Sequence, residues 1–269
     1  MLKIRNAVMN ELKKNGYNVE TYDGIKNGVA CHGIVNITEE TKKRFVPVVW
    51  IERLVEDYGY NVKRIVDVII SIFNDEPIAF DEKKYFNPSY ILKNVTVRVR
   101  KKIDSDILKR DSEFEGLETC LCVKCDDIEA SYMLRERMVK ELELNEEVLW
   151  ANAWKDVREN IVVEKLTKFV YETTGTILPD LGTYIVSNKN FVNGAIGGLD
   201  EEFIKEFFKK KGFDGVVVLP SSIHEMLLIP FNEDDYLDMN YFSQMVREVN
   251  CQEVSLTERL TDKAYTYKF

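Results

Sequence analysis

The sequence predicts an α+β protein in which short antiparallel strands pack against amphipathic helices, with a ββαββα-like unit toward the C-terminus. Three observations lead there. Asn94–Lys102 alternates apolar and polar residues with the period of a half-buried strand, placing Val95, Val97 and Val99 on one side. Asn61–Phe73 repeats apolar residues at Val62, Ile65, Val66, Ile69 and Phe73, the stripe of an amphipathic helix. Strand candidates also follow one another across short turns, as in Tyr17–Ile37 around Asn27-Gly28, a dipeptide that accepts the positive φ angles of a tight hairpin.

In chain order, Leu2–Lys14 sets Ile4, Val8 and Leu12 on one helical face and ends at Gly16. The hairpin follows, with His32 on its second strand, and then a strand at Phe45–Trp50 whose Pro47, lacking a ladder donor, suits an edge or bulge. Asn61 is placed to cap the next helix. Strands are expected at Val95–Val99 and across Leu117–Cys125. The polar stretch Lys102–Gly116 between them suggests a boundary between an N-terminal lobe, 1–110, and a C-terminal lobe, 111–269.

Asn145 followed by Glu146 and Glu147 opens a helix carrying Trp150, Trp154 and Val157, because acids suit the positive end of the helix dipole. Gly182–Asn188 and Asn193–Gly198 read as short strands. The helix after them has an Asp200 cap, acids in its first turn, lysines in its last and Gly212 at its end. Gly215–Pro220 and Met226–Phe231 are continuous apolar strands. A helix over Tyr236–Asn250, a capping box at Ser255 and Glu258, and a last strand through Tyr265, Tyr267 and Phe269 complete the reading.

A chain of 269 residues with 45% hydrophobic and 31% charged residues belongs with globular proteins. Its net charge of −9 argues against a phosphate backbone as partner, since nucleic-acid affinity comes mostly from basic patches. The basic runs at Lys42–Arg44, Arg98–Lys102 and Lys209–Lys211 are short, flanked by acids, and read as solvated faces. No stretch is apolar enough to span a membrane and no signal-peptide core opens the chain, so a cytoplasmic location is expected. Five cysteines, an odd number, fit free thiols in a reducing compartment.

The succession of "YIVSN", "NGA", "VVVLPSSIHEMLLIP", "MVREVN" and "LTDKAYTY" resembles domain-of-unknown-function family 5688, uncharacterised proteins of anaerobic Gram-positive bacteria. The resemblance is strongest over 182–269. It extends to the first half through "NGVACHG" and "PVVWIERLVEDYGYNVKRIVDVI". It implies a shared fold and assigns no activity, cofactor or catalytic residue.

Three clusters remain as candidate sites. Ser221, Ser222, His224 and Glu225 supply the residue types of a hydrolase, but on a strand His224 and Glu225 point to opposite faces, and no Gly-x-Ser-x-Gly elbow is present. The preferred reading is a self-capping helical turn, Ser222 and Glu225 forming a capping box between two strands. Cys120, Cys122 and Cys125 are weak metal candidates that lack a second cluster; Cys31, His32 or Asp126 would have to supply a fourth ligand, and small core side chains explain them better. "NFVNGAIGG" matches neither a P-loop nor a dinucleotide fingerprint, and the acids after it would repel an anion from that helix start. No cofactor is expected. The function anticipated is a non-enzymatic binding or regulatory role with another protein as partner. The alternatives are a hydrolase using His224 with Ser221 or Ser222, and an acidic protein antagonising a host system.

Overall fold

The computed structural model describes residues 1–38, 48–75, 81–220 and 222–269. The fold is α+β, with antiparallel sheets and helices, and the chain divides into two compact units, Met1–Tyr85 and Phe86–Phe269.

In the first unit, α1 (Leu2–Lys14) is followed by β1 (Val19–Lys26) and β2 (Val29–Asn36), paired antiparallel with Lys26 opposite Val29. Asn27 and Gly28 take φ of 47° and 80°, the two left-handed positions that a two-residue hairpin requires. Next come β3 (Val49–Trp50), paired with β2, α2 (Ile51–Tyr58), α3 (Val62–Asn74) and α4 (Glu82–Tyr85). Pro47 lies outside the described residues. The Asn61 side chain accepts from the Arg64 amide at 3.1 Å and caps α3 as its position in the sequence suggests. Ile4, Val8 and Leu12 of α1 meet Ile34 of β2 and Ile65, Val66 and Ile69 of α3 in one core.

The second unit opens with α5 (Pro88–Asn94) and β4 (Val95–Lys101). The polar stretch 102–116, where composition suggests a break, lies within this unit. It carries β5 (Lys109–Asp111) and leads into β6 (Leu117–Cys125), which pairs with β4 on one side and with β5 and β7 (Ala130–Met133) on the other. The short α6 (Glu136–Glu141) precedes α7 (Glu146–Asn160), which is capped by Asn145 accepting from the Val148 amide at 3.1 Å. β8 (Ile161–Lys165), α8 (Leu166–Thr174), β9 (Tyr184–Asn188), α9 (Glu201–Lys209), β10 (Gly215–Leu219), β11 (Met226–Phe231), α10 (Met239–Glu253) and β12 (Tyr265–Lys268) complete it. The strands form an antiparallel sheet in the order β12-β10-β11-β9-β8.

This sheet explains why its central strands do not alternate. One face joins β4, β6, α7 and α9 in a shared core containing Val97, Leu121, Leu149, Trp150, Val186, Val218, Ile204 and Phe208. The other face, with Val217, Leu219 and Phe231, packs on Val246 of α10. A strand buried on both sides reads as a continuous apolar run.

Asn193–Gly198, expected as a strand, instead forms a 3₁₀ segment, Gly194–Leu199, lying on β9. Glycine is the reason. A Cβ on Gly194 would fall 2.3 Å from the Asn188 nitrogen, and one on Gly198 would fall 2.6 Å from the Met226 sulfur. Only a backbone without side chains comes this close.

Candidate functional site

The connection from β10 to β11 carries the Ser-His-Glu cluster. Ser222 is buried and bridges to Arg259, and its hydroxyl accepts from the His224 amide at 3.0 Å. The Ile223 amide donates to the Glu258 carbonyl at 2.9 Å. Residues 223 and 224 then receive the first donors of the 3₁₀ segment. The Asn193 amide donates to His224 Nδ1 at 3.2 Å, the Gly194 amide to the His224 carbonyl at 3.0 Å, and the Ala195 amide to the Ile223 carbonyl at 3.3 Å. The Ser187 hydroxyl adds a bond of 2.7 Å to the same His224 carbonyl.

Each helix start leaves amide donors that need acceptors, and the loop supplies them from outside the helix. This differs from the capping box expected here. Ser222 serves the amide two residues on, and the segment bends without closing a helical turn. Ser221 lies outside the described residues.

A histidine acting as base toward a serine needs a ring nitrogen 2.6–3.2 Å from the hydroxyl, by the general geometry of such pairs. Here Nδ1 already accepts from the Asn193 amide, which assigns the ring proton to Nε2, and Nε2 lies 3.6 Å from Glu258 Oε1. The Ser222 and Ser187 hydroxyls bond to the backbone of His224, not to its ring. Ser222, His224 and Glu225 are thus close together, but the hydrogen bonds among the described residues build a cap.

Glu225 sits half-buried beside them. Burial pushes its carboxyl up from the usual value, against the opposing effects of His224 and a hydrogen bond from Ser222, while Glu258 adds to the rise. A raised carboxyl favours the protonated folded state. That stability is fully present below the unfolded carboxyl value and is lost as pH rises through the folded one. Glutamine does not titrate, so the melting temperature of Glu225→Gln minus that of the wild type is expected to grow from about pH 4 to about pH 7. Parallel thermal melts check this, and a difference that stays flat contradicts it.

The cysteines of β6 do not converge. Side chains on a strand alternate, so Cys120 and Cys122 share one face and Cys125 lies on the other, with Leu121 and Val123. Cys120 contacts the Arg98 carbonyl and the Met133 sulfur at 3.6 and 3.9 Å, and burial pushes its thiol up to about 12. Burial raises Cys122 as well. Such thiols are poor sources of thiolate, the form that binds metal. Cys31 and His32 belong to the first unit, where His32 Nδ1 is 2.6 Å from Glu52 Oε1. The Asp126 side chain lies outside the described residues. Among those described, no group of three His, Cys, Asp or Glu side chains is placed to hold a metal ion.

Beside the cap is a polar cleft of about 740 Å³. Arg98 of β4, Lys124 of β6, Ser131 of β7, Asp156 and Asn160 at the end of α7, and Lys189, Asn190 and Asn193 of the loop after β9 line it. Lys124 is paired with Asp156 at 2.6 Å. Arg98 donates to the Ser131 hydroxyl at 2.9 Å and Lys189 to the Glu159 carbonyl at 2.8 Å, so both spend a donor on a neutral partner.

The loop that brings Lys189 here is held by its own Asn188, whose side-chain oxygen accepts from the Asn190 and Val192 amides at 3.1 and 3.2 Å. Phe191 and Asn193 take φ of 53° and 55°, left-handed angles uncommon away from glycine and especially for an aromatic residue. The His224 cap and the Phe191 contact with Phe169, at 4.7 Å between ring centroids, hold the loop in that form.

Of these cleft residues only Asn190 and Asn193 stand out in the sequence, as part of the glycine-containing stretch Asn190–Gly198. Arg98 occupies a polar position of an alternating strand within a run that reads as solvated, and Lys189 sits in an asparagine-rich turn. The available signal is the Asn188–Asn193 stretch, whose composition favours left-handed backbone next to the glycine segment.

Comparison with curated proteins and with solved structures gives no match. A family of unknown function, DUF5688, matches residues 1–268. With essentially its whole length covered, the chain belongs to that family.

Proposed function

We propose that this is a non-enzymatic binding or regulatory protein whose recognition site is the polar cleft of the second unit. The observation that carries the reading is the division of labour around His224. The cluster most like a catalytic site is spent on capping the 3₁₀ segment, while the adjoining cleft presents side chains with unspent hydrogen-bonding capacity. A cleft of about 740 Å³ is within the size range of small-molecule sites. A protein partner inserting a side chain or chain end would use the same surface.

Other features are consistent with this proposal. No helix among the described residues is long and apolar enough to cross a membrane. Free thiols at Cys31, Cys120, Cys122 and Cys251 support the cytoplasm as the proposed location. An acidic-decoy role receives less support, because carboxylates such as Glu164, Glu206 and Asp106 are interleaved with cations in ion pairs.

Ser131→Trp places a large ring at the exposed wall of the cleft and provides the test. Thermal-shift screening of the full chain against a varied small-molecule and peptide set is expected to find ligands that raise the wild-type midpoint. At a hundredfold excess over Kd the rise is about 2.7 kcal/mol, or roughly 5–10 °C. The shift should be lost in Ser131→Trp. Ligands that stabilise both proteins equally, or turnover abolished by His224→Ala, would count against the proposal.

A further inference from the structure

Arg98 and Lys189 are cations without an acidic partner among the described residues. They stand out in a chain of net charge −9 whose lysines and arginines are repeatedly matched to carboxylates, as Lys124 is to Asp156 in the same cleft. Arg98 keeps most of its five guanidinium donors after bonding to Ser131, and Lys189 keeps two of its three ammonium donors after bonding to Glu159. Among the described residues, the side-chain amide of Asn193 also makes no hydrogen bond.

We infer that the cleft binds a small oxyanion, a carboxylate or phosphate group, between Arg98 and Lys189, with Asn193 contacting its polar remainder. The inference rests on the cleft being the recognition site and adds the chemical class of its ligand. A planar guanidinium matches the paired oxygens of either group, and the Lys189 ammonium, lining the same cleft, adds a point charge. The glycine segment takes no part, because the amides of Asn193, Gly194 and Ala195 are committed to His224 and Ile223. Asp156 does not oppose the anion as a free charge, since Lys124 neutralises it. Glu129 at the rim is an acid on the same cleft and disfavours highly charged ligands, which favours a group of low charge.

The test is an amide chemical-shift titration of the full chain with inorganic phosphate and, separately, with acetate. Saturable shifts are expected at Ser131 and Asn188–Asn193 for at least one probe, weakening as salt is added because exposed charges are screened. Arg98→Ala and Lys189→Ala are each expected to weaken binding by about tenfold or more. Lys189 is exposed, so its variant separates loss of binding from loss of fold. Arg98→Lys should fall between wild type and Arg98→Ala, and Lys168→Ala, on α8, should change nothing. Shifts that do not saturate, spread over the surface or survive both alanine variants would overturn the inference. If that happens while Ser131→Trp still abolishes ligand shifts, the cleft remains a binding site for a neutral ligand.

Discussion

Gly194→Ala is expected to destabilise the second unit by about 3 kcal/mol, the upper end of the usual cost of overpacking. The new Cβ would meet the Asn188 nitrogen at 2.3 Å, the Ser187 Oγ at 2.4 Å and the Ser187 carbonyl carbon at 2.8 Å. Two of these atoms are backbone, and the third is engaged with the His224 carbonyl at 2.7 Å, so no flexible chain end can yield. Relief requires the 3₁₀ segment to lift from β9, which stretches the bonds from Asn193 and Gly194 to His224. At roughly 2–4 °C per kcal/mol for a unit of this size, the melting midpoint should fall by about 6–12 °C. Gly16→Ala provides a contrast in cause: it meets nothing within 4 Å, and its cost comes only from a φ of +87°. Thermal melts of the two variants check the account, and a near-normal midpoint for Gly194→Ala contradicts the close packing described.

Glu118→Ala is expected to cost about 3–5 kcal/mol, the range for breaking a buried ion pair from one side. Glu118 is 1% exposed and Arg100 9%, facing each other in the β4–β6 register. Arg100 Nε donates to Glu118 Oε1 at 2.8 Å, its NH2 group lies 2.6 Å from the same oxygen, and it also donates to the Ser105 hydroxyl at 2.7 Å. The second carboxylate oxygen makes no hydrogen bond and relies on Lys109 at 3.5 Å. Removing the carboxylate leaves the buried guanidinium without a counter-charge. Removing both partners does not, so the double variant Glu118→Met with Arg100→Met should recover most of the loss. Chemical denaturation of the single and double variants measures this, and equal destabilisation by both would show that the pair's packing matters more than its charge.

Elements whose cause is local were legible in the sequence. The Asn27-Gly28 hairpin, the Asn61 and Asn145 caps, and the Asp200 cap with its bond of 3.2 Å from the Phe203 amide all follow from residues within a few positions of one another. α10 begins at Met239, after Asp238 takes the Asn240 and Tyr241 amides, a little later than apolar spacing alone suggests. Ser255–Glu258 forms a backbone turn, with the Glu258 amide donating to the Ser255 carbonyl at 2.9 Å, although the residues match a capping box.

Elements decided at a distance were not legible. The 3₁₀ form of Gly194–Leu199 depends on its contact with β9 and on acceptors from His224, some thirty residues later. Cleft residues Arg98, Lys124, Asn160 and Lys189 come from separate segments, and each alone looks like an ordinary solvated side chain. β6 hides Glu118 among apolar neighbours because its charge partner lies on β4.

The central claim is that His224 caps the 3₁₀ segment and shapes the cleft instead of acting as a base. Nitrogen-15 NMR of the imidazole rings tests it most directly, since the chain has only two histidines and His224→Gln assigns them. Neutral His224 should carry its proton on Nε2, with Nδ1 accepting from the Asn193 amide. His32, whose Nδ1 faces Glu52, should carry one on Nδ1 and so provides an internal contrast. A His224 signal with the proton on Nδ1, or one exchanging freely between the two nitrogens, would contradict the account.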